Sequence, residues 1–297
     1  MPRPPTMRGC KYAMSVELGM KTLNFGIIRN PLKAAGYAFS SFSVIFTLIK
    51  AITHFVPAIK IEGPEALAVV AIISLCFGLR KVWKPTKIEI KIANSNTVIE
   101  VVFGDLFEMK GIRVIAVNEF FDSKIGKPVS GKSLHGIFLQ KCFGGHPSAF
   151  DEQVDEELKN TTSIQVVKIE GKTKSYPIGT NALITANSDR YIFFALSKTN
   201  PETCKAYSDV NMMWVALHEL WHRARIESGS EEINLPLVGS GLSGLGLPTR
   251  DLLNLIILSG ITATKSREVT QKIRIVLHSD RFEDIDLREV KQHWAQT

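Results

Sequence analysis

A glycine-rich stretch, GSGLSGLG at positions 239–246, is the part of the sequence best suited to bind an anion. Glycines allow backbone N–H groups to approach a phosphate closely, and a run of such groups forms an anion-binding nest. The stretch follows an apolar segment and precedes a predicted helix, whose N-terminus also favours negative charge. No Gly-Lys-Ser/Thr follows, and the stretch comes late in the chain, so it is neither a Walker loop nor a dinucleotide fingerprint. A glycine-rich turn without a ligand is the alternative.

Two polar residues stand at the ends of predicted strands. Gly104-Asp105-Leu106 comes directly after one strand, and Val117-Asn118 ends the next. Ligands of α/β proteins collect at strand ends, where an Asp can accept a hydrogen bond from an exocyclic amine. The sequence therefore predicts a ligand site at this edge, with an Asp that only caps a turn as the alternative.

The sequence HELWH matches the H-E-x-x-H pattern of zinc proteases. On a helix, His218 and His222 would share one face and bind zinc, with Glu219 as general base. A third ligand is missing, because Gly229 stands where a third His is expected, and Arg223 would disfavour a cation. The sequence therefore predicts no metal site, with a zinc metalloprotease kept as an alternative.

These residues require a framework of strands and helices between residues 86 and 297. Alternating or continuous apolar patterns predict strands at 86–93, 97–104, 112–118, 163–170, 174–185, 191–197, 233–239 and 272–278. Helical spacing predicts helices at 131–142, 203–228, 248–263 and 284–294. Because strands alternate with helices, we expect an α/β domain whose mixed sheet is covered on both faces.

Two apolar runs, 36–49 and 66–79, precede this domain, and each has 14 residues without a charge. Spanning a bilayer takes about 20 residues, so both runs must extend into their flanks. The first then includes Lys50, whose insertion costs about 2.5–3.5 kcal/mol at mid-helix. Basic residues cluster at the outer ends of the pair, which predicts a two-helix transmembrane segment at 34–85 with both ends cytoplasmic. Residues 1–33 are predicted to be a flexible leader, and two buried helices of a soluble domain are the alternative.

The charge is divided unequally between these parts. The 297 residues carry 36 Lys and Arg against 29 Asp and Glu, a net charge of +7. Residues 1–85 have a net charge of +8, and residues 86–297 a net charge of −1. The excess of basic residues therefore indicates the orientation of the membrane segment and does not indicate nucleic acid as a partner. Four widely spaced cysteines without a CxxC pair argue against a disulfide framework and for a reducing compartment.

Taken in order, the motifs resemble the macro-domain family. The resemblance rests on Gly104-Asp105-Leu106, Val117-Asn118, Asn234-Leu235-Pro236 and the loop at 240–244, and it covers most of 86–295. It implies a three-layer α/β/α fold with a mixed sheet, here preceded by an α-helical transmembrane hairpin. It also implies binding of ADP-ribose or a derivative, without a further cofactor.

The resemblance also implies roles for individual residues. Asp105, beside Leu106, would contact the adenine amine, Asn118 would lie near the distal ribose, and Phe282 would stack on adenine. The diphosphate would lie between two loops, formed by Ser133, Leu134 and His135 on one side and by Ser240, Gly241, Leu242, Ser243 and Gly244 on the other.

Two departures from the family pattern concern catalysis. Hydrolytic macro domains have Val-Asn-Ala-Ala-Asn, whereas this chain has Val-Asn-Glu-Phe-Phe, with Phe121 in place of the second Asn. Their glycine-rich catalytic loop is replaced by SGKSLH at 130–135. Since no residue is clearly placed to activate water, ligand sensing is favoured, and a membrane-tethered ADP-ribosyl hydrolase is the alternative.

The fusion of a membrane hairpin to a macro domain is similar to the ThsA effector family of type II Thoeris anti-phage systems. The resemblance implies that a TIR-domain partner, ThsB, makes histidine-ADP-ribose, which the macro domain binds. The membrane segment would then disrupt the membrane and kill the infected cell. A two-helix hairpin is too small to form a pore alone, so homo-oligomerisation on activation is expected. The implied location is the bacterial inner membrane, crossed twice, with the macro domain in the cytoplasm.

Overall fold

The computed structural model describes residues 31–59, 61, 63–241 and 244–295. The chain divides into two compact units, Met1–Thr86 and Lys87–Thr297. Most of the predicted leader lies outside the described residues, and its last three residues already belong to the first helix.

The N-terminal unit contains a pair of helices, α1 (Pro31–Phe55) and α2 (Pro64–Val82). The buried residues of α2 are Val70, Ser74 and Gly78, which recur every four positions and form one stripe. A Cβ atom at Gly78 would lie 2.7 Å from the Ala34 carbonyl oxygen. The end of α2 therefore packs beside the start of α1, and the two helices are antiparallel.

Of the described helices, α1 alone is long and apolar enough to cross a membrane, judged by length and composition. It has 25 residues, none of them buried. The 19 residues of α2 include Glu65, Arg80 and Lys81 near its ends. Of the two predicted spans, α1 thus has the length and apolar composition of a membrane span, and the span predicted at α2 stays a prediction.

The C-terminal unit is built on a mixed sheet. Its strands are β1 (Lys87–Lys91), β2 (Val98–Phe103), β3 (Ile112–Asn118), β6 (Asn181–Ala186), β7 (Asp189–Thr199), β8 (Ala206–Tyr207), β9 (Ile233–Pro236) and β10 (Lys272–Leu277), while β4 (Ile164–Gln165) and β5 (Lys174–Ser175) form a separate ribbon. The helices are α3 (Leu134–Phe143), α4 (Ser148–Glu157), α5 (Val210–Glu227), α6 (Thr249–Ser266) and α7 (Leu287–His293). The strand order is β1-β2-β10-β9-β3-β7-β6, with β8 beside β7. Pairs from β2 to β7 are parallel, whereas β1 and β6 are antiparallel edges.

Helices cover both faces of this sheet, as the sequence predicts. Phe193 and Phe194 are successive residues of β7 that point to opposite faces, and both are fully buried. On one face, Phe138 of α3 and Phe150 of α4 pack against Phe193 with ring centroids 4.9 and 5.0 Å away. Helices α5 and α6 pack on the other face. This arrangement is the predicted α/β fold with a mixed sheet.

A row of buried polar side chains fixes the register of the central strands. Arg274 on β10 is opposite Glu100 on β2 and Asn234 on β9. Its Nε donates to Glu100 Oε1 at 2.5 Å and its Nη1 donates to Asn234 Oδ1 at 2.7 Å. Asn234 Nδ2 in turn donates to the carbonyl of Ile112 at the start of β3, at 3.2 Å. One chain of hydrogen bonds therefore links β2, β10, β9 and β3.

Glu100 is charged in this row despite its burial, with a side chain only 4% exposed. Burial alone would raise the pKa of its carboxyl group. Hydrogen bonds from Arg274 and Lys87 outweigh that effect and hold the pKa below the ordinary value of 4.5. Glu100 is therefore one of two negative partners of Arg274 at neutral pH; the other is Glu232, whose Oε2 lies 2.7 Å from Arg274 Nη1.

The predicted strand at 163–170 is wrong for most of its length. Only Ile164–Gln165 pairs, with Lys174–Ser175. The chain then leaves the ribbon because the Lys168 side chain is fully buried in an ion pair with Asp122. The predicted strand at 174–185 is also interrupted, since Pro177 has no N–H to donate to a ladder.

Two helix predictions also differ from the structure. The helix predicted from residue 203 begins at Val210, because Asp209 caps it by accepting from the Met212 N–H at 2.7 Å. Helix α4 was not predicted at all. Its buried residues Phe150 and Val154 stand four positions apart, which is helical spacing within a short polar segment.

Glu100→Gln should lower the free energy of unfolding of the C-terminal unit by about 2 kcal/mol, because it removes the more deeply buried of the two carboxylates that pair with Arg274, the other being Glu232. Denaturant unfolding at pH 7, followed by tryptophan fluorescence, measures the change. Glu89→Gln is the matched control on the neighbouring strand. The Glu89 side chain is 49% exposed, and its loss should change the stability by less than about 0.5 kcal/mol. Equal effects of the two substitutions would contradict the role given to the row.

Candidate ligand-binding site

A cavity of about 690 Å³ lies at the C-terminal ends of the parallel strands. Its volume is within the range of about 300–1,000 Å³ that is typical of small-molecule sites. The ends of β2, β10, β9, β3 and β7 contribute to its wall, together with the start of α3. The polar side chains in the wall are those of Asp105, Asn118, Ser130, Lys132, Ser133, His135, Ser197, Ser240, His278, Asp280 and Arg281.

Asp105 both caps a turn and faces the cavity. Its Oδ1 accepts from the Phe107 N–H at 2.9 Å and so starts the 3-10 turn Leu106–Glu108. Its Oδ2 lies 3.7 Å from Lys141 Nζ, and the side chain is 42% exposed. Leu106 is buried and contributes to the same wall. Oδ2 is therefore available to accept a hydrogen bond from a ligand.

The glycine-rich loop follows β9 along the cavity wall. Gly239 has a φ of 83°, a backbone conformation that favours glycine, and a Cβ atom there would also lie 2.7 Å from Leu245 Cδ1. Ser240 Oγ donates to the Leu237 carbonyl at 3.1 Å, and Gly241 faces the cavity. Gly244 is exposed and outside the wall. The predicted contacts of Leu242 and Ser243 lie outside the described residues.

The opposite wall is formed by the start of α3. Ser133 caps this helix, since its Oγ accepts from the Gly136 N–H at 3.0 Å and donates to the Ser130 carbonyl at 2.7 Å. A Cβ atom at residue 136 would lie 2.2 Å from that carbonyl oxygen, so the close packing requires glycine. Leu134 also lines the wall. The Leu134 and His135 N–H groups have no acceptor within the helix, so the start of α3 favours negative charge in the cavity.

His135 lies at this helix start but is a core residue. Its ring packs between Phe150 and Phe193, with centroids 5.4 and 5.5 Å away. Burial, with a smaller contribution from the charge of Lys172, lowers the pKa of His135 from 6.5 to about 3. The imidazole is therefore neutral at physiological pH and contributes no positive charge to the cavity.

The side chain of Asn118 is committed to the turn that follows β3. Its Oδ1 accepts from the N–H groups of Phe120 and Asp122, both at 3.2 Å. Its Nδ2 donates to Asp122 Oδ2 at 2.8 Å. Asn118 lines the cavity, but its amide oxygen is already satisfied twice.

The rest of this turn is buried and held by an ion pair. Phe121, in the place of the second Asn of the hydrolytic pattern, is fully buried with a φ of 50°. Asp122 accepts from Lys168 Nζ, and both side chains are 0% exposed. Asp122 Oδ1 also accepts from the Lys172 N–H at 2.7 Å. The turn is thus closed by contacts within the protein.

Phe282 is not in the cavity wall. It is 7% exposed and packs edge-to-face on Phe103, with ring centroids 5.0 Å apart. The 3-10 turn Ser279–Arg281 instead directs Arg281 to the cavity. Sequence reasoning missed Arg281, because the pattern cannot tell which of two neighbouring residues in a turn faces inward.

The H-E-x-x-H residues His218, Glu219 and His222 are exposed on α5. Within the described residues, no group of three or more His, Cys, Asp or Glu side chains is arranged to hold a metal ion. Among the residues that the structure describes, no third zinc ligand is therefore brought to this helix.

A family model described as "Thoeris protein ThsA, Macro domain" matches residues 99–278. Over 208 residues, the chain is 24% identical to Thoeris protein ThsA of Bacillus amyloliquefaciens (strain Y2), a match that covers 65% of this chain and 67% of the relative. A solved Oceanobacillus iheyensis macrodomain with ADP gives a TM-score of 0.50 at 15% identity, covering 71% of this chain and 98% of that one. A mutant of that macrodomain with ADPR gives a TM-score of 0.51 at 15% identity, covering 71% and 100%. These structural likenesses show the macro-domain fold.

The stability of the C-terminal unit should fall as the pH decreases below 6.5, because the unfolded chain then binds a proton that folded His135 excludes. The slope due to this group reaches about 1.4 kcal/mol per pH unit and ends near the folded pKa. Denaturant unfolding between pH 7 and pH 4 measures it. His135→Gln should remove this part of the slope, whereas His146→Gln, at an exposed position, should retain it. An unchanged slope in His135→Gln would contradict the burial of a neutral imidazole.

Proposed function

The chain belongs to the Thoeris protein ThsA macro-domain family, and on that premise we propose that its C-terminal unit senses an ADP-ribose derivative in anti-phage defence. The observation that carries this proposal is the cavity at the strand ends. It combines a carboxylate oxygen of Asp105 that can accept a hydrogen bond, a glycine-rich loop and the start of α3 along one edge of the sheet. These are the groups that an amine, a diphosphate and a sugar would need.

The strand order suggests how the ligand lies. Asp105 follows β2, the glycine-rich loop follows β9, and Asn118 ends β3. In the sheet order β2-β10-β9-β3, β2 and β3 are three strand spacings apart, so Asp105 and Asn118 are separated by about 14 Å across the sheet, and the loop lies between them. A base at Asp105, two phosphates at the loop and a distal ribose near Asn118 would fill this row. Ser133, Leu134 and the loop from Ser240 would then enclose the diphosphate.

Sensing fits the cavity better than hydrolysis. A hydrolase needs a group that orients or activates water near the distal ribose. The Asn118 amide is instead bonded to its own turn, and Phe121 is buried in the core. A receptor that leaves its ligand intact is therefore the preferred function over a membrane-tethered ADP-ribosyl hydrolase.

We infer that the signal is histidine-ADP-ribose and that a TIR-domain partner, ThsB, produces it. Family membership supports this identification, since the relative that matches over 208 residues is itself a Thoeris protein. The macro-domain fold supports the ADP-ribose part of the ligand. The histidine part rests on the family resemblance alone.

The N-terminal helices are the proposed effector element. Helix α1 has the length and composition of a membrane span, and α2 packs antiparallel to it. We place the pair in the bacterial inner membrane as two spans, with the macro domain in the cytoplasm. A ligand drives a change only if it binds one state better than another. Ligand-dependent homo-oligomerisation meets this requirement when the oligomer binds the ligand better than the single chain does. Membrane disruption and cell death would follow.

Asp105→Asn should weaken ADP-ribose binding by about 10- to 100-fold, because it replaces the acceptor Oδ2 by an amide donor that faces the adenine amine. The new Oδ1 can still accept from the Phe107 N–H, so the turn is preserved. Calorimetry on the full chain in detergent micelles measures the affinity.

The matched control is Asp209→Asn, which changes another helix-capping carboxylate outside the cavity wall. It should leave ADP-ribose affinity unchanged. Equal binding by the wild type and Asp105→Asn would show that the pocket is misplaced. Cleavage of histidine-ADP-ribose during the titration would favour the hydrolase alternative.

Histidine-ADP-ribose should cause release of a trapped dye from vesicles that contain the full chain, and Gly241→Leu should abolish the release. Gly241 faces the cavity, and no described atom lies within 4 Å of a Cβ placed there. The leucine should therefore occupy the ligand's place without disturbing the fold. Release without ligand, or equal release by Gly241→Leu, would count against ligand control of the membrane segment.

A further inference from the structure

We propose that Arg281 supplies the positive charge of the diphosphate site and so sets the preference of the cavity for pyrophosphate ligands. This role rests on the proposed function, because it takes the ligand to be an ADP-ribose derivative. It assigns the charge to a side chain on a different element from the glycine-rich loop.

The guanidinium of Arg281 lies beside the first residues of that loop. Its Nη1 donates to Asp284 Oδ2 at 3.1 Å, which orients the group. Its Nη2 donates to the Ser240 carbonyl at 3.5 Å. A bond of that length is weak. A phosphoryl oxygen bound at the loop can therefore replace the carbonyl as the partner of Nη2 in a stronger, charge-assisted bond.

The glycine-rich stretch itself supplies no full positive charge. The stretch at 239–246 contains no Lys or Arg, and the carboxylates of Asp105 and Asp280 line the same cavity. Backbone N–H groups supply partial charges only, whereas a diphosphate carries about two negative charges. Lys141 already lies 3.7 Å from Asp105 on the far side of the cavity, so a full positive charge beside the loop adds attraction where the diphosphate itself would lie.

Other cations are less well placed. Lys132 also lines the cavity, but it lies beside the start of α3 on the opposite wall. Arg250, in the first turn of α6, lies outside the cavity wall. Among the described residues in the wall, Arg281 is the cation whose side chain reaches the glycine-rich loop.

The position of Arg281 is fixed by its neighbours. Phe282 is anchored in the core against Phe103. The Arg281 N–H donates to the His278 carbonyl at 2.9 Å and closes the 3-10 turn. The backbone that carries the guanidinium is therefore ordered before any ligand arrives, so binding has to order little beyond the side chain.

ADP-ribose titrations of the full chain in detergent micelles, at low and high ionic strength, test this role. Arg281→Gln should lose about tenfold in affinity at low salt, and the loss should shrink at high salt because screening weakens a charge–charge contact. Arg281→Lys should retain most of the affinity, since it keeps the charge.

The matched control is Arg288→Gln. Arg288 is also paired with a nearby carboxylate, that of Asp286, but it lies outside the cavity wall. The Arg288→Gln variant should bind ADP-ribose with the affinity of the wild type at both salt concentrations.

Three results would overturn the assignment while leaving the proposed function intact. The first is equal ADP-ribose affinity in the wild type and Arg281→Gln. The second is a loss of affinity in Arg281→Gln that is the same at low and high salt. The third is a loss of affinity in Arg281→Lys as large as that in Arg281→Gln. The last two would indicate that the planar guanidinium stacks on the base. If the wild type itself does not bind ADP-ribose, the proposed function fails, and the role of Arg281 fails with it.

Discussion

The ion pair between Arg274 and Glu100 is the interaction on which the geometry of the C-terminal unit depends. A strand that slips by one residue exchanges its two faces, and such a slip would separate this guanidinium from its carboxylate. Because Asn234 extends the same hydrogen-bonded row to β9 and β3, four strands share one register. Their C-terminal ends are then fixed relative to one another, and the cavity wall follows from that alignment.

A second buried ion pair, between Lys168 and Asp122, has a different effect. It joins two loops and not two strands, and it holds the segment 166–172, which connects β4 to β5, against the turn after β3. That turn also absorbs the amide of Asn118. The sheet therefore sets where the strand ends lie, whereas this pair sets what the end of β3 presents to the cavity. One buried ion pair, Arg274–Glu100, thus fixes the register of strands. The other, Lys168–Asp122, holds a turn that keeps the Asn118 side chain bonded within the protein.

The sheet and the location of the site were predictable from sequence because both follow from local patterns. The strands at 97–104, 112–118 and 272–278 are apolar enough to identify, and the glycines at 239–246 indicate an anion-binding loop, with a turn without a ligand as the alternative. Contacts between distant residues were not predictable. The burial of Lys168 on Asp122, 46 positions away, removed a predicted strand. The packing of Phe282 on Phe103 turned Arg281 toward the cavity instead.

The closed turn after β3 determines what kind of signal the proposed receptor can report. A protein that destroys its ligand responds to the rate at which ligand arrives, because each molecule is counted once and then lost. A protein that only holds its ligand responds to concentration and stays switched on for as long as the signal persists. Inactivation of the receptor would then depend on dissociation of the ligand and on its removal by some other route. With Asn118 committed to its own turn, the response of the proposed receptor would follow the concentration of its ligand.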